Sequence, residues 1–279
     1  MSLLEIFVQE ERLEERKIFP GFNEAYVRYF CPHMESIDDL SPYIDFKGKS
    51  ILVIAGYGYG FSMLHEGADK VIAIDVDSGQ IAWNHMIRSS LDTLSFSQAR
   101  EFMEGQIKFL DRVLQGMPKR YQSLASRCYE DFTDGETSHV IKSSNLECYP
   151  HLRSADEFGA LRDAVREGRL LIIQNELKEF LQHCQSRFDI ISASSVRYWA
   201  MYHYAKTDLL VFQEYDSQLA KNVDAHLNPN GVFCDAIYEM GEEFQLKLLE
   251  ELQTWSLQFT IHSTLTPNMR LALGRKAST

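Results

Sequence analysis

Three glycines and one acid carry the clearest chemical signal in the chain. Gly56, Gly58 and Gly60 stand at alternate positions after the apolar run Ile51-Leu52-Val53-Ile54-Ala55, and Asp75 closes a second run, Val71-Ile72-Ala73-Ile74. A residue without Cβ lets the backbone turn sharply out of a strand and lets a ligand lie against it. A carboxylate at the tip of the next strand can accept both hydroxyls of a ribose. Residues 61–66 between them read as a short helix ended by Gly67. Residues 50–77 therefore predict a strand–turn–helix–strand unit that holds the adenosine part of a cofactor.

The glycine spacing narrows the ligand. A dinucleotide fingerprint, G-x-G-x-x-G, places its third glycine one residue later, to pack helix on strand beneath a pyrophosphate. Here the pattern is G-x-G-x-G, with Tyr57 and Tyr59 between the glycines. That spacing is associated with S-adenosylmethionine (SAM) enzymes, whose ligand has no phosphate to cradle.

The elements that must position this unit follow along the chain. Residues 1–19 and 22–30 show helical spacing, broken by Pro20-Gly21 and Cys31-Pro32, and predict an N-terminal helical cap over residues 1–48. Residues 78–94 form a helix with Ile81, Met86, Ile87, Leu91 and Leu94 on one side. Residues 96–104, 107–114, 121–132 and 155–166 are also helical, too much chain for a plain connection, so 88–168 reads as a helical insertion. Further strands are expected at 170–174, 188–195, 231–238, 257–263 and 269–273, with helices at 177–183, 209–227 and 241–253 and a turn at Asn228-Pro229-Asn230-Gly231. Residues 49–87 and 169–279 then make the core. The fold expected is α/β: a Rossmann-like sheet of seven mostly parallel strands, of the class I SAM-dependent methyltransferase type, closed by an antiparallel hairpin.

Composition excludes other classes. The chain has 279 residues and a net charge of −12, which speaks against a surface made for nucleic acid or anionic membrane. No apolar run approaches membrane-spanning length, and the acidic N-terminus lacks a signal-peptide layout, so a cytoplasmic protein is expected. Five scattered cysteines and nine dispersed histidines offer no C-x-x-C or H-x-x-x-H spacing, so neither a metal site nor a disulfide framework is expected.

Ligands of open α/β sheets bind beyond the carboxyl ends of the strands. That rim would gather the glycine turn, Asp75, Asn175-Glu176 after the third strand and Ser194-Ser195 after the fourth. Asn175 and Glu176 compete for the adenine edge, and Asn175 suits it better because its amide both donates and accepts. Ser194 and Ser195 either hold the amino-acid end of the cofactor or end the strand. Asp77 suits a helix cap. Tyr198 and Tyr202, at i and i+4 in the aromatic segment 196–204, either face the cofactor's sulfonium or pack in the core. Trp199 and Tyr204 suit the core, His203 is a structural residue or a base, and Arg197 pairs with the cofactor's carboxylate or with a surface acid.

Several of these segments together resemble the betaine-lipid type of 3-amino-3-carboxypropyltransferases. The resemblance rests on Leu52-Val53-Ile54-Ala55, the glycine turn, Val71–Asp75 with Gln80, residues 90–95, and Phe102-Met103-Glu104-Gly105, with weaker echoes to residue 132. It brings Val76 and Gln80 into the cofactor set. The chain departs from the family in having Asp77-Ser78 for Asn-Pro, Gly56-Tyr57-Gly58 for Ser-Ala-Gly, and a much shorter middle region, which argues against a diacylglycerol substrate. The resemblance implies attack at the γ-carbon of SAM and release of methylthioadenosine. The group would pass to a small-molecule nucleophile or close on its own amine as azetidine-2-carboxylate, with Tyr198, Tyr202 and Ser194 as catalytic candidates. The alternatives are methyl transfer to a small molecule and a SAM-binding protein without catalysis. The partner expected is a small-molecule acceptor or none, with no nucleic acid and no integral membrane association.

Overall fold

The computed structural model describes residues 37–133, 149–194, 196–197, 200, 209–238, 248–264 and 269–277. Much of the N-terminal cap, part of the insertion and most of the aromatic segment 195–208 lie outside them. The predicted helix 241–253 is described only from residue 248 onward.

Seven strands follow one another as β1 (Ser50–Ile54), β2 (Lys70–Asp75), β3 (Leu170–Gln174), β4 (Phe188–Ser194), β5 (Leu227–Tyr238), β6 (Gln258–Ser263) and β7 (Met269–Arg275). Side by side they run β3-β2-β1-β4-β5-β7-β6. The pairs from β3 to β5 are parallel, whereas β7 runs antiparallel to both β5 and β6. This is the doubly wound sheet with a terminal hairpin that the sequence predicts.

The strands are apolar on both faces because both faces are covered. Alternation of period two sends Ile51 and Val53 of β1 into one layer and Leu52 into the other, and Val71/Ala73 of β2 part from Ile72/Ile74 in the same way. The first layer is filled by α2 (Tyr59–His65), α3 (Ser78–Thr93) and α7 (Ala155–Arg166), and the second by α8 (Leu177–His183) and α9 (Leu209–His226).

One local expectation is corrected. Residues 228–231 form no separate turn: α9 passes straight into β5 at Leu227. The turn chemistry survives as a bulge. Pairing steps from Phe188↔Leu227 to Ile190↔Val232, and Asn230 takes a left-handed φ of 62°. Asp189 pins this bulge, accepting from the Ser50 amide at 2.9 Å and from Asn228 Nδ2 at 3.0 Å.

Between β2 and β3 the chain is helical where described. α4 (Phe96–Met103), α5 (Leu110–Gln115) and α6 (Lys119–Thr133) gather around α3. Tyr129 stacks on Phe102 at 4.4 Å and donates to the Phe102 carbonyl at 2.6 Å, while Ser89 on α3 donates to the Val113 carbonyl. α4 opens with a full capping box, Ser95 with Gln98.

Candidate cofactor and active site

The carboxyl ends of β1 to β4 meet on one rim, and the three glycines of the turn divide the work there. A Cβ at Gly56 would meet nothing within 4 Å, so this is the glycine with open space in front of it. Gly58 takes a φ of +93°, a left-handed conformation favouring glycine, and a Cβ there would sit 2.8 Å from Ile87 Cδ1. Gly60 lets α2 lie on the sheet: its Cβ would fall 3.1 Å from Ala73 Cβ and 3.3 Å from Leu170 Cδ1. Of the three, Gly56 is the one at which a Cβ would stand in open space.

A residue not singled out in the sequence fixes the mouth of that turn. Asn84, fully buried on α3, donates through Nδ2 to the Ala55 carbonyl at 2.6 Å and to the Gln80 carbonyl at 2.8 Å. It was detectable, because Asn84 falls on the helical stripe of Ile81, Ile87 and Leu91, where a lone amide must find backbone partners. Gln80 is buried at the start of the same helix.

Asp75 ends β2 half-buried, and one carboxylate oxygen accepts from the Asp77 amide at 3.0 Å. Burial and the neighbouring Asp77 carboxylate push its pKa up to about 7. Asp77 caps α3, accepting from the Gly79 amide at 2.7 Å, as its sequence position predicts. An acid of this kind is poised for neutral donors: a ribose diol would give it the hydrogen bonds that favour its ionised form.

Beyond β3, Asn175 and Glu176 separate cleanly. Glu176 is drawn under the rim: the residue is 3% exposed, and its carboxylate caps α8 through the Glu179 amide and accepts from Tyr215 Oη at 2.7 Å. Asn175 stays half-buried on the rim; its amide N–H donates to the Asp75 carbonyl at 2.9 Å and its Oδ1 accepts from the Glu176 amide. Val76 is held through its carbonyl by Gln174 Nε2 at 3.4 Å, and Gln174 Oε1 in turn accepts from Tyr121 Oη at 3.1 Å. Helix α6 thus reaches across to the tips of β2 and β3, a link between distant segments that no local pattern announces.

Beside Tyr121, His85 stacks at 5.0 Å, and burial with Arg88 and Arg120 nearby lowers its pKa to about 3. His151 is pushed to about 3 by burial and by His65. Both stay neutral and pack.

At the end of β4, Ser194 holds a left-handed φ of 52°, where the register against β5 shifts. Backbone strain of this kind concentrates at ligand sites. Ser194 lines a small, mostly apolar pocket shared with Tyr59 of α2 and with Asp39 of α1 (Ile37–Leu40). Ser195, Tyr198, Trp199, Tyr202, His203 and Tyr204 lie outside the described residues, as does the Tyr57 side chain.

Arg197 is corrected on both counts, being neither at the surface nor turned to the rim. Its guanidinium is 0% exposed, grips Asp216 at 2.6 and 3.2 Å and Asp235 at 3.0 Å, donates to the Leu248 carbonyl, and lies over the Trp255 ring at 5.2 Å. The two carboxylates hold its pKa above the usual value against burial. Three elements, the start of the segment after β4, α9 and β5, are thereby locked beneath the rim.

No group of three or more potential metal-ligating side chains occurs among the described residues. None of the described helices is long and apolar enough to cross a membrane.

The strand order, the antiparallel β7 and the glycine turn after β1 together define a Rossmann-like fold of the class I SAM-dependent methyltransferase type. No protein-family model and no curated protein sequence matches the chain. Among solved structures it is similar to the fibrillarin pre-rRNA processing protein of Methanococcus jannaschii, at 11% identity and a TM-score of 0.43 over 90% of this chain and 78% of that one. It is also similar to an O-methyltransferase family protein of Burkholderia thailandensis (11% identity, TM-score 0.42, 92% and 59% of the two chains). A third is the ribosomal protein L11 methylase of Lactobacillus delbrueckii subsp. bulgaricus (13%, 0.40, 92% and 81%). At these values the similarity does not bear on activity, and the assignment of the fold rests on the strand order.

Proposed function

We propose that the chain is a SAM-dependent enzyme that transfers a carbon group from the sulfonium of SAM. The observation that carries this reading is the rim of β1, β2 and β3: Gly56 with open space before it, the poised carboxylate of Asp75 and the half-buried Asn175 beside it. In this reading Asp75 receives the ribose hydroxyls, Asn175 meets the adenine edge, and Gly56 admits the chain that joins ribose to sulfur. Tyr59 and Ser194 border the continuation of the site toward the pocket they line.

The group transferred is the 3-amino-3-carboxypropyl chain, either to a small-molecule nucleophile or onto its own amine. The support for this is the resemblance of the cofactor segment and of residues 90–105 to the aminocarboxypropyltransferases. A sulfonium activates each of its three carbon substituents, and the carbon held in line with the nucleophile decides the product. Methyl transfer is the competing outcome. Nucleic acid is an unfavoured acceptor, since the net charge of −12 would repel it.

Incubation with SAM and mass spectrometry of the nucleoside products tests this reading. Methylthioadenosine is expected, and its appearance without an added acceptor would identify self-cyclisation. S-adenosylhomocysteine as the sole product would replace aminocarboxypropyl transfer with methyl transfer. Absence of SAM binding by calorimetry would overturn both.

A further inference from the structure

We infer that Tyr121 of the helical insertion is a positioning residue for the cofactor: through Gln174 it holds the turn that presents Asp75. The inference rests on the SAM reading above, in which that turn receives the ribose.

Three ties hold the turn of residues 75–77. The Asp77 amide donates to the Asp75 carboxylate at 3.0 Å, and the Asn175 amide donates to the Asp75 carbonyl at 2.9 Å. Both come from the rim itself. The third comes from Gln174, the residue paired with Asp75 across β2 and β3, whose Nε2 donates to the Val76 carbonyl at 3.4 Å. It is the longest of the three, so it depends most on how the Gln174 amide is set.

Tyr121 sets that amide. Its Oη donates to Gln174 Oε1 at 3.1 Å, across 53 positions of sequence. Oxygen and nitrogen share one planar amide, so holding Oε1 on the hydroxyl turns Nε2 toward Val76. The hydroxyl is itself fixed in place, because Tyr121 is 4% exposed and its ring is held by neighbours. His85 of α3 stacks on the ring at 5.0 Å, and the Arg120 guanidinium lies 4.8 Å from its centroid. Packing against His85 needs the ring, whereas the tie to Gln174 needs the hydroxyl. A phenylalanine at position 121 would keep the first and lose the second, which separates packing from positioning.

The test compares Tyr121→Phe, Gln174→Met and the double variant by calorimetry with SAM and with methylthioadenosine, and by hydrogen exchange on the ligand-free chain. Tyr121→Phe should weaken both nucleosides by on the order of fivefold, since both carry the adenosine that the turn receives. Exchange at the Asp77 and Asn175 amides, the two that tie to Asp75, should quicken. Because Tyr121 acts through Gln174, adding Tyr121→Phe to Gln174→Met should weaken neither nucleoside further. If Tyr121→Phe does not fold, Gln174→Met decides by the same two readings. A lower melting temperature with affinity and exchange at Asp77 and Asn175 unchanged would make the hydroxyl merely structural and overturn the proposal. Additive losses of affinity in the double variant would overturn it as well. If the wild-type chain binds neither nucleoside, the SAM reading falls, and exchange at Asp77 and Asn175 still decides whether Tyr121 holds the turn.

Discussion

Asn84 on α3 donates to the carbonyl of Ala55 at 2.6 Å, and so a helix that begins after β2 sets the exit of the chain from β1. The same amide reaches the Gln80 carbonyl one turn earlier, which keeps its rotamer fixed. Replacement by leucine would keep the volume and leave the Ala55 carbonyl without this donor. Asn84→Leu should cost roughly 1–3 kcal/mol in stability, read by urea denaturation. Affinity for SAM should fall as well, since the turn loses its fixed start.

The glycines should separate stability from binding. Gly60→Ala places a methyl group 3.1 Å from Ala73 Cβ in a packed layer, and should lower stability by about 1–3 kcal/mol. Gly56→Ala meets no protein atom within 4 Å, so melting temperature should hardly change. Its effect should fall on SAM affinity, because the methyl group enters the ligand's space. Thermal melting and calorimetry on the two variants check this contrast, and equal losses of stability would refute it.

Asp75 predicts a pH dependence of definite sign. Its carboxyl keeps a proton up to about pH 7 in the folded chain, against 3.8 for an ordinary aspartate. Between those values folding takes up a proton, so this residue's contribution to stability falls as pH rises. Asp75→Asn should therefore stabilise the ligand-free protein by roughly 1–2 kcal/mol at pH 8, with less effect near pH 4. The same variant should lose most SAM affinity. Wild-type affinity should itself weaken as pH drops through 7, where the acceptor for the ribose becomes protonated. Denaturation and calorimetry at two pH values test both.

Arg197→Leu should be the most damaging of the substitutions considered. It leaves Asp216 and Asp235 buried together without their cation, a loss of about 3–5 kcal/mol. Urea denaturation of Arg197→Leu beside Arg197→Lys, which keeps a positive charge, would measure it. An equal loss in the two variants would mean that packing on Trp255 outweighs charge.

Much of the fold was legible because it is written locally. Apolar runs of strand length, helix caps such as Ser95 and Asp77, and glycine after strand each act through neighbours in sequence. The seven strands and the closing hairpin follow from those signals. The misread turn at 228–231 kept its local chemistry, with Asn230 left-handed, but pairing with β4 absorbed it as a bulge. Periodicity cannot see that, since the partner strand is forty residues away.

The sequence by itself determined that a glycine turn and an acid stand at the tips of adjacent strands, because both lie within one βαβ unit of 28 residues, 50–77. The tertiary structure decided which of those groups are free to meet a ligand. Packing of α2 claimed Gly60, and the left-handed turn claimed Gly58. The capping of α8 claimed Glu176, and two distant aspartates drew Arg197 inside. Long-range contacts also brought Asn84 to Ala55 and Tyr121 to Gln174. Burial and hydrogen bonding are settled only when segments far apart in the chain come together, so residue type names the candidates and packing chooses among them.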